Sequence, residues 1–95
     1  MSFELEHLPG QSRYLFSFNG EQVGLTDYRV IGNAIHISHT EIGSQHRRRG
    51  FGAAMVRSVL DEIRLGTGYR VVAACPFVAD WIEKHPEYHE LELRG

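Results

Sequence analysis

Cysteine, net positive charge and long apolar runs are scarce or missing in this chain of 95 residues. Cys75 is the sole cysteine, so no internal disulfide can form, which fits a reducing compartment. No apolar stretch approaches the ~20 residues that a membrane-spanning helix needs, so no membrane partner is expected. The start, Met1-Ser2-Phe3-Glu4-Leu5-Glu6, lacks the basic residues and apolar core of a secretory leader. A soluble, cytoplasmic protein is the expectation. A formal charge of −2 and a pI near 6.3 argue against nucleic-acid binding through bulk charge. Six histidines invite a metal reading, yet no Cys-x-x-Cys or His-Glu-x-x-His spacing accompanies them. His36 and His39 stand an odd step apart and so on opposite strand faces. No metal site is expected.

Repeats, low-complexity tracts and linkers are also missing, so residues 1–95 read as one domain. The 42% apolar and 11% aromatic content suits a folded globule. Phe3–Leu8 alternates in polarity and ends at Pro9-Gly10. Tyr14, Phe16 and Phe18 alternate with polar neighbours over residues 13–19, and Asn19-Gly20 is a strong hairpin signal into a strand over 21–28. Gly32-Asn33 marks a second turn, into Ala34–Ile42. The first half is therefore an antiparallel meander.

The second half changes period. Met55, Val56, Val59, Leu60 and Ile63 fall on one helical face between Phe51 and Leu65, with Gly66-Thr67-Gly68 as the stop. Residues 69–74 read as a buried strand, which completes a βαβ unit over 34–75 with parallel flanking strands. Pro76 opens a short helix with Cys75 at its cap, Phe77, Val78, Trp81 and Ile82 on its apolar side, and Pro86 as its end. The fold class is thus a mixed α/β sheet: a meander, then a βαβ unit and a short C-terminal helix. Ligands in such sheets sit at the carboxyl ends of parallel strands. Ile42–Gly52 and Cys75-Pro76 both arrive there.

The most informative segment is Gln45-His46-Arg47-Arg48-Arg49-Gly50-Phe51-Gly52-Ala53-Ala54, which joins a strand to a helix. A helix start has unpartnered N–H groups and partial positive charge, glycines let a phosphate approach the backbone, and arginines add charge-assisted bonds. The segment reads as a pyrophosphate grip. It is not a Walker A loop, since no Gly-Lys-Ser/Thr follows. It is not a dinucleotide fingerprint either, since Met55 stands where the third glycine belongs. A nucleic-acid patch would want aromatic stacking partners, which the arginines lack. Arg47-Arg48-Arg49-Gly50-Phe51-Gly52 does satisfy Arg/Gln-x-x-Gly-x-Gly/Ala.

With His39-Thr40-Glu41-Ile42 before it, and Cys75-Pro76-Phe77 and His85-Pro86-Glu87-Tyr88 after it, this hexapeptide resembles the GNAT superfamily of N-acetyltransferases. The likeness covers roughly residues 34–88 and is nearest to a short, single-domain (YjdJ-type) branch. The resemblance implies transfer of an acetyl group from acetyl-CoA (coenzyme A) to a small-molecule or peptide amine, by direct attack. Arg47, Arg48, Arg49, Gly50, Phe51, Gly52 and Ala53 would hold the phosphates, and Glu41, Ile42, Cys75 and Phe77 the pantetheine arm. A non-catalytic acyl-CoA-binding module is the alternative. Such enzymes typically carry one or two helices between their first two strands. Here Pro9-Gly10-Gln11-Ser12 leaves room for a turn, so the acceptor is not legible.

Glu41 is a candidate general base and equally a solvated strand end. His39, two positions earlier and on the same face, is a candidate proton relay or an ordinary hydrogen-bonding histidine. Cys75 at a helix cap is a candidate nucleophile, a thioester contact or a small core residue. Tyr88 is a candidate acid for the departing thiolate. The oligomeric state is not readable.

Overall fold

A computed structural model describes residues 2–95. Five strands form one sheet in chain order: β1 Phe3–Leu8, β2 Arg13–Phe18, β3 Glu21–Ile31, β4 Ala34–Ile42 and β5 Arg70–Ala73. The first four pair antiparallel and β4 pairs parallel with β5, as the hairpin signals and the helical crossover predict. Asn19 and Gly20 both take positive φ (51° and 85°), which lets a two-residue turn follow the strand twist. β3 runs three residues past its predicted end at Tyr28, because Val30 and Ile31 find partners in Ile35 and Ala34.

Helix α1 spans Phe51–Gly66 and α2 spans Pro76–Glu83. The apolar stripe of α1, Met55, Val56, Val59, Leu60 and Ile63, is fully buried and forms one core with Phe16, Ile35, Ile37 and Val71 of the sheet. Val78, Trp81 and Ile82 of α2 join the same core. The end of α1 is tied twice. Thr67 donates its N–H and its hydroxyl to the Ile63 carbonyl at 3.1 and 2.8 Å. The Arg94 guanidinium then spans the carbonyls of Arg64, Thr67 and Tyr69.

Two expectations need correction. Pro86 does not merely end α2, which stops at Glu83. It opens a 3-10 stretch, Pro86–Leu93, that buries Tyr88 and Leu91. A proline suits a first helical position because its missing N–H would have had no partner there. The second correction concerns the β4 histidines. The register slips between Asp27 and Tyr28, so that His39 lies opposite Asp27 and His36 opposite Arg29. Asp27 and Arg29 are two residues apart, and the extra residue in β4 therefore returns both histidines to one face. Even so, no group of His, Cys, Asp and Glu able to hold a metal ion occurs among the described residues. No helix among them is long and apolar enough to cross a membrane.

Candidate active site

The site begins where β4 and β5 part. β5 pairs only with Ala34–Ile37, and the N–H groups of Ala74 and Cys75 then both converge on the Ile37 carbonyl at 3.0 Å. β4 continues to Ile42, so its last residues have β3 on one side and no strand on the other. Gly43 donates to the Val23 carbonyl across β3. Alternation from that point turns the main chain of Thr40 and Ile42 toward the open side, and that of Glu41 toward β3. Of the two main chains predicted to serve the thioester, Ile42 therefore faces the opening and Glu41 does not. Thr40 takes its place.

The opening leads into a cleft of about 670 Å³ lined by His39, Thr40, Glu41, Ile42, the loop, the first turn of α1 and Phe77. Arg47, Arg48, Gly50, Phe51, Gly52 and Ala53 all border it, which gathers most of the sequence-predicted phosphate grip in one wall. Gly50 caps α1 at φ 77°, a conformation costly to any residue with a Cβ. At Gly52 the constraint is space: a Cβ would meet the Phe77 ring at 3.0 Å. With no side chain cap at the start of α1, its first N–H groups are open to an anion.

The three arginines differ. Arg47 donates from Nε to the Ile42 carbonyl at 3.4 Å. The Arg49 guanidinium lies 4.8 Å over the Phe51 ring and is not part of the cleft wall, contrary to expectation. Arg48 lines the cleft and holds φ 66°.

Cys75 caps α2 as predicted, but it stands behind the wall. Its Sγ is 3.5 Å from the Thr40 hydroxyl, and Thr40 is what faces the cleft. Burial by itself would raise the thiol pKa. Hydrogen bonds from the Thr40 hydroxyl and from the backbone N–H groups of Val78, Phe77 and Thr40 outweigh it and hold the pKa below its ordinary value. His39 and Glu41 share a solvent-facing edge of the cleft, with Nε2 and Oε1 3.3 Å apart and both side chains more than half exposed (56% and 58%).

Tyr88 is elsewhere. Its hydroxyl donates to Asp61 on α1 at 2.7 Å and accepts from Arg57 at 3.2 Å, buried against the helix and away from the cleft. The family resemblance alone suggested it as an acid for the thiolate, and its place after Pro86 already departed from the helical position that the resemblance implies. The 3-10 stretch carries it back under α1.

Reasoning from sequence also passed over Thr40, Met55 and His46, which line the cleft too. His46 is only 6% exposed, packed by Phe51, with Nε2 3.1 Å from a Glu21 carboxylate oxygen. A histidine within a polar loop carries no mark of burial. Thr40 was detectable only through the bulge that sets its register.

A mixed sheet splayed at its parallel pair, with a glycine loop feeding a helix start into the opening, has the architecture of an acyl-transferring domain. The family model described as GCN5-related N-acetyl-transferase matches residues 13–91, and the chain belongs to that family. Acetyltransferase-type activity follows at that level of description. No curated protein matches the chain.

Proposed function

We propose that the protein is an acetyl-CoA-dependent N-acetyltransferase that moves the acetyl group to an amine by direct attack. One observation carries this reading: the gap beside Thr40 and Ile42 opens into the same cleft that the arginine-glycine loop and the start of α1 border. An extended pantetheine arm fits a strand-shaped gap in which the Thr40 carbonyl and the Ile42 N–H face the opening, and a pyrophosphate fits a bare helix start. The residues present therefore suit the ligand that the family generally uses.

In this reading the Thr40 carbonyl binds the arm and the Ile42 N–H polarises the thioester carbonyl. The amine nitrogen attacks that carbonyl carbon, the C–S bond breaks, and the CoA thiolate departs. Glu41 takes the amine proton, directly or through a water, and His39 at 3.3 Å carries it onward. Cys75 supports the wall through Thr40 and forms no covalent adduct. The amine enters across the exposed edge at His39 and Glu41, which suits a small molecule or a peptide side chain.

Two measurements test the proposal. Calorimetry with CoA and desulfo-CoA should show binding, and no heat from either at millimolar concentration would refute it. A screen of free amines, polyamines, amino acids and peptide amines for acetyl-dependent CoA release should find an acceptor. Tight acetyl-CoA binding with no turnover across that panel would instead mean a binding module.

A further inference from the structure

Resting on the transferase reading above, we propose that the acceptor is a linear polyamine laid across the uncovered face of the sheet, with its reacting nitrogen at Glu41 and a second ammonium at Glu6. The sheet has two faces, and both helices take the same one. Tyr14, Phe16, Ile35, Ile37 and Val71 point into the single core that α1 and α2 complete. Residues at the alternate positions point the other way. The pairing register aligns four of them in one row across the strands: Glu6 opposite Leu15, Leu15 opposite Leu25, and Leu25 opposite Glu41. Leu15 and Leu25 are half-buried, yet they belong neither to the core nor to the side chains packed against it. Glu41 ends the row and also lines the cleft, so the row runs straight to the proposed reaction point.

The row has carboxylates at its ends and hydrocarbon between them. Adjacent strands lie about 4.8 Å apart, so three spacings put the Glu6 and Glu41 backbones roughly 14 Å apart. A linear triamine in extended form brings one nitrogen to each carboxylate while its methylene spacers cross Leu15 and Leu25. Contact with the leucines removes those methylenes from water, and each ammonium meets an opposite charge. Glu6 is exposed and makes no ion pair among the described residues. Glu4, two residues away on the same face, adds a second anion at that end. Arg13, one row away, is held by Asp27 at 2.7 and 3.2 Å, so the pair adds no net charge. Arg29 and Arg70 lie toward the end of the sheet remote from the cleft. An α-amino acid would bring its own carboxylate onto this acidic surface, and a monoamine would leave Glu6 unmatched.

The test measures kcat and KM with acetyl-CoA for spermidine, diaminobutane, butylamine and a lysine-containing peptide, in wild type, E6Q and E6K. Spermidine should have the highest kcat/KM in the wild type. E6Q should lower the ratio of spermidine to butylamine kcat/KM by about fivefold, the upper end for an exposed ion pair, and should do so through KM. E6K, which replaces attraction by repulsion, should lower that ratio further. Glu6 is a surface residue, so thermal midpoints should stay at the wild-type value in both variants. The inference is overturned if butylamine or the peptide is the better substrate, or if E6Q leaves the ratio unchanged. Wild-type protein that acetylates none of these amines would overturn the transferase reading as well. Wild type that acetylates butylamine or the peptide with no preference for spermidine would overturn this inference alone.

Discussion

The Thr40 hydroxyl and the Cys75 thiol meet 3.5 Å apart, at the point where β4 and β5 separate. This contact joins a residue that faces the cleft to one buried behind it, and it holds the thiol pKa below its ordinary value despite burial. Thiolate absorbance near 240 nm should titrate with a midpoint below that of an ordinary cysteine in the wild type. T40V removes the hydroxyl and should move that midpoint up. The sign follows from the direction of the shift: the fold favours the thiolate, so the associated stability is present above the unfolded pKa and lost as pH falls through the folded one. A midpoint at or above the ordinary value would show that burial prevails.

Catalysis separates the two roles open to Cys75. With direct transfer, C75S stays close to wild type and C75A slows turnover only mildly, through lost packing behind Thr40. Rapid-quench mass spectrometry should then find no acetyl group on Cys75. An adduct that forms and decays at the turnover rate would identify a nucleophile, and both variants would be nearly inactive.

Gly52 sets a steric limit on the loop. A valine there would press on Phe77 and Ile42, both at the cleft wall. G52V should weaken CoA binding by about tenfold, equivalent to about 1.4 kcal/mol, because the displaced wall narrows the cleft. Circular dichroism should show the fold retained, because the half-exposed Phe77 ring can swing aside. Undiminished affinity would mean that the ligand avoids this wall.

The hydroxyl of Tyr88 is predicted to serve the fold alone. Y88F breaks its bonds to Asp61 and Arg57 and should lower stability by about 1–2 kcal/mol in urea denaturation. The kcat should be unchanged. A large drop in kcat with normal stability would restore a catalytic role.

Tyr14 should govern the alkaline limit. Burial, with smaller contributions from Tyr28, Glu62 and Tyr69, pushes its pKa up to about 12. The folded protein thus keeps a proton that the unfolded chain releases from about pH 10, so stability is full below that pH and declines as pH rises toward 12. The decline attributable to Tyr14 is on the order of 2–3 kcal/mol. Urea midpoints at pH 9 and pH 11 should differ in the wild type and differ less in Y14F.

Much of the architecture was legible because its signals are local. Asn19-Gly20 specifies a turn by the conformations it permits, and the spacing of Met55, Val56, Val59, Leu60 and Ile63 specifies a buried helical face. The loop was legible because Gly50 and Gly52 are needed for backbone reasons, one for its φ and one for its lack of a Cβ. What escaped depends on long-range placement. The bulge opposite Asp27 and Tyr28 comes from sheet pairing, and it decided the face of His36 and the direction of the Thr40 main chain. Burial of His46 and the retreat of Tyr88 to Asp61 are likewise tertiary facts, invisible in a pattern of neighbours.

Because β5 stops at Ala73 while β4 runs on to Ile42, the inner strand of a finished sheet keeps a short stretch of edge chemistry. The amide hydrogen at Ile42 should therefore trade with deuterium far sooner than those at Ile35 and Ile37 on the same strand. An extended ligand in the gap acts as a missing half-strand and should slow that exchange. With CoA bound as proposed, the sheet would be complete only while the ligand stays, and its departure would reopen the edge.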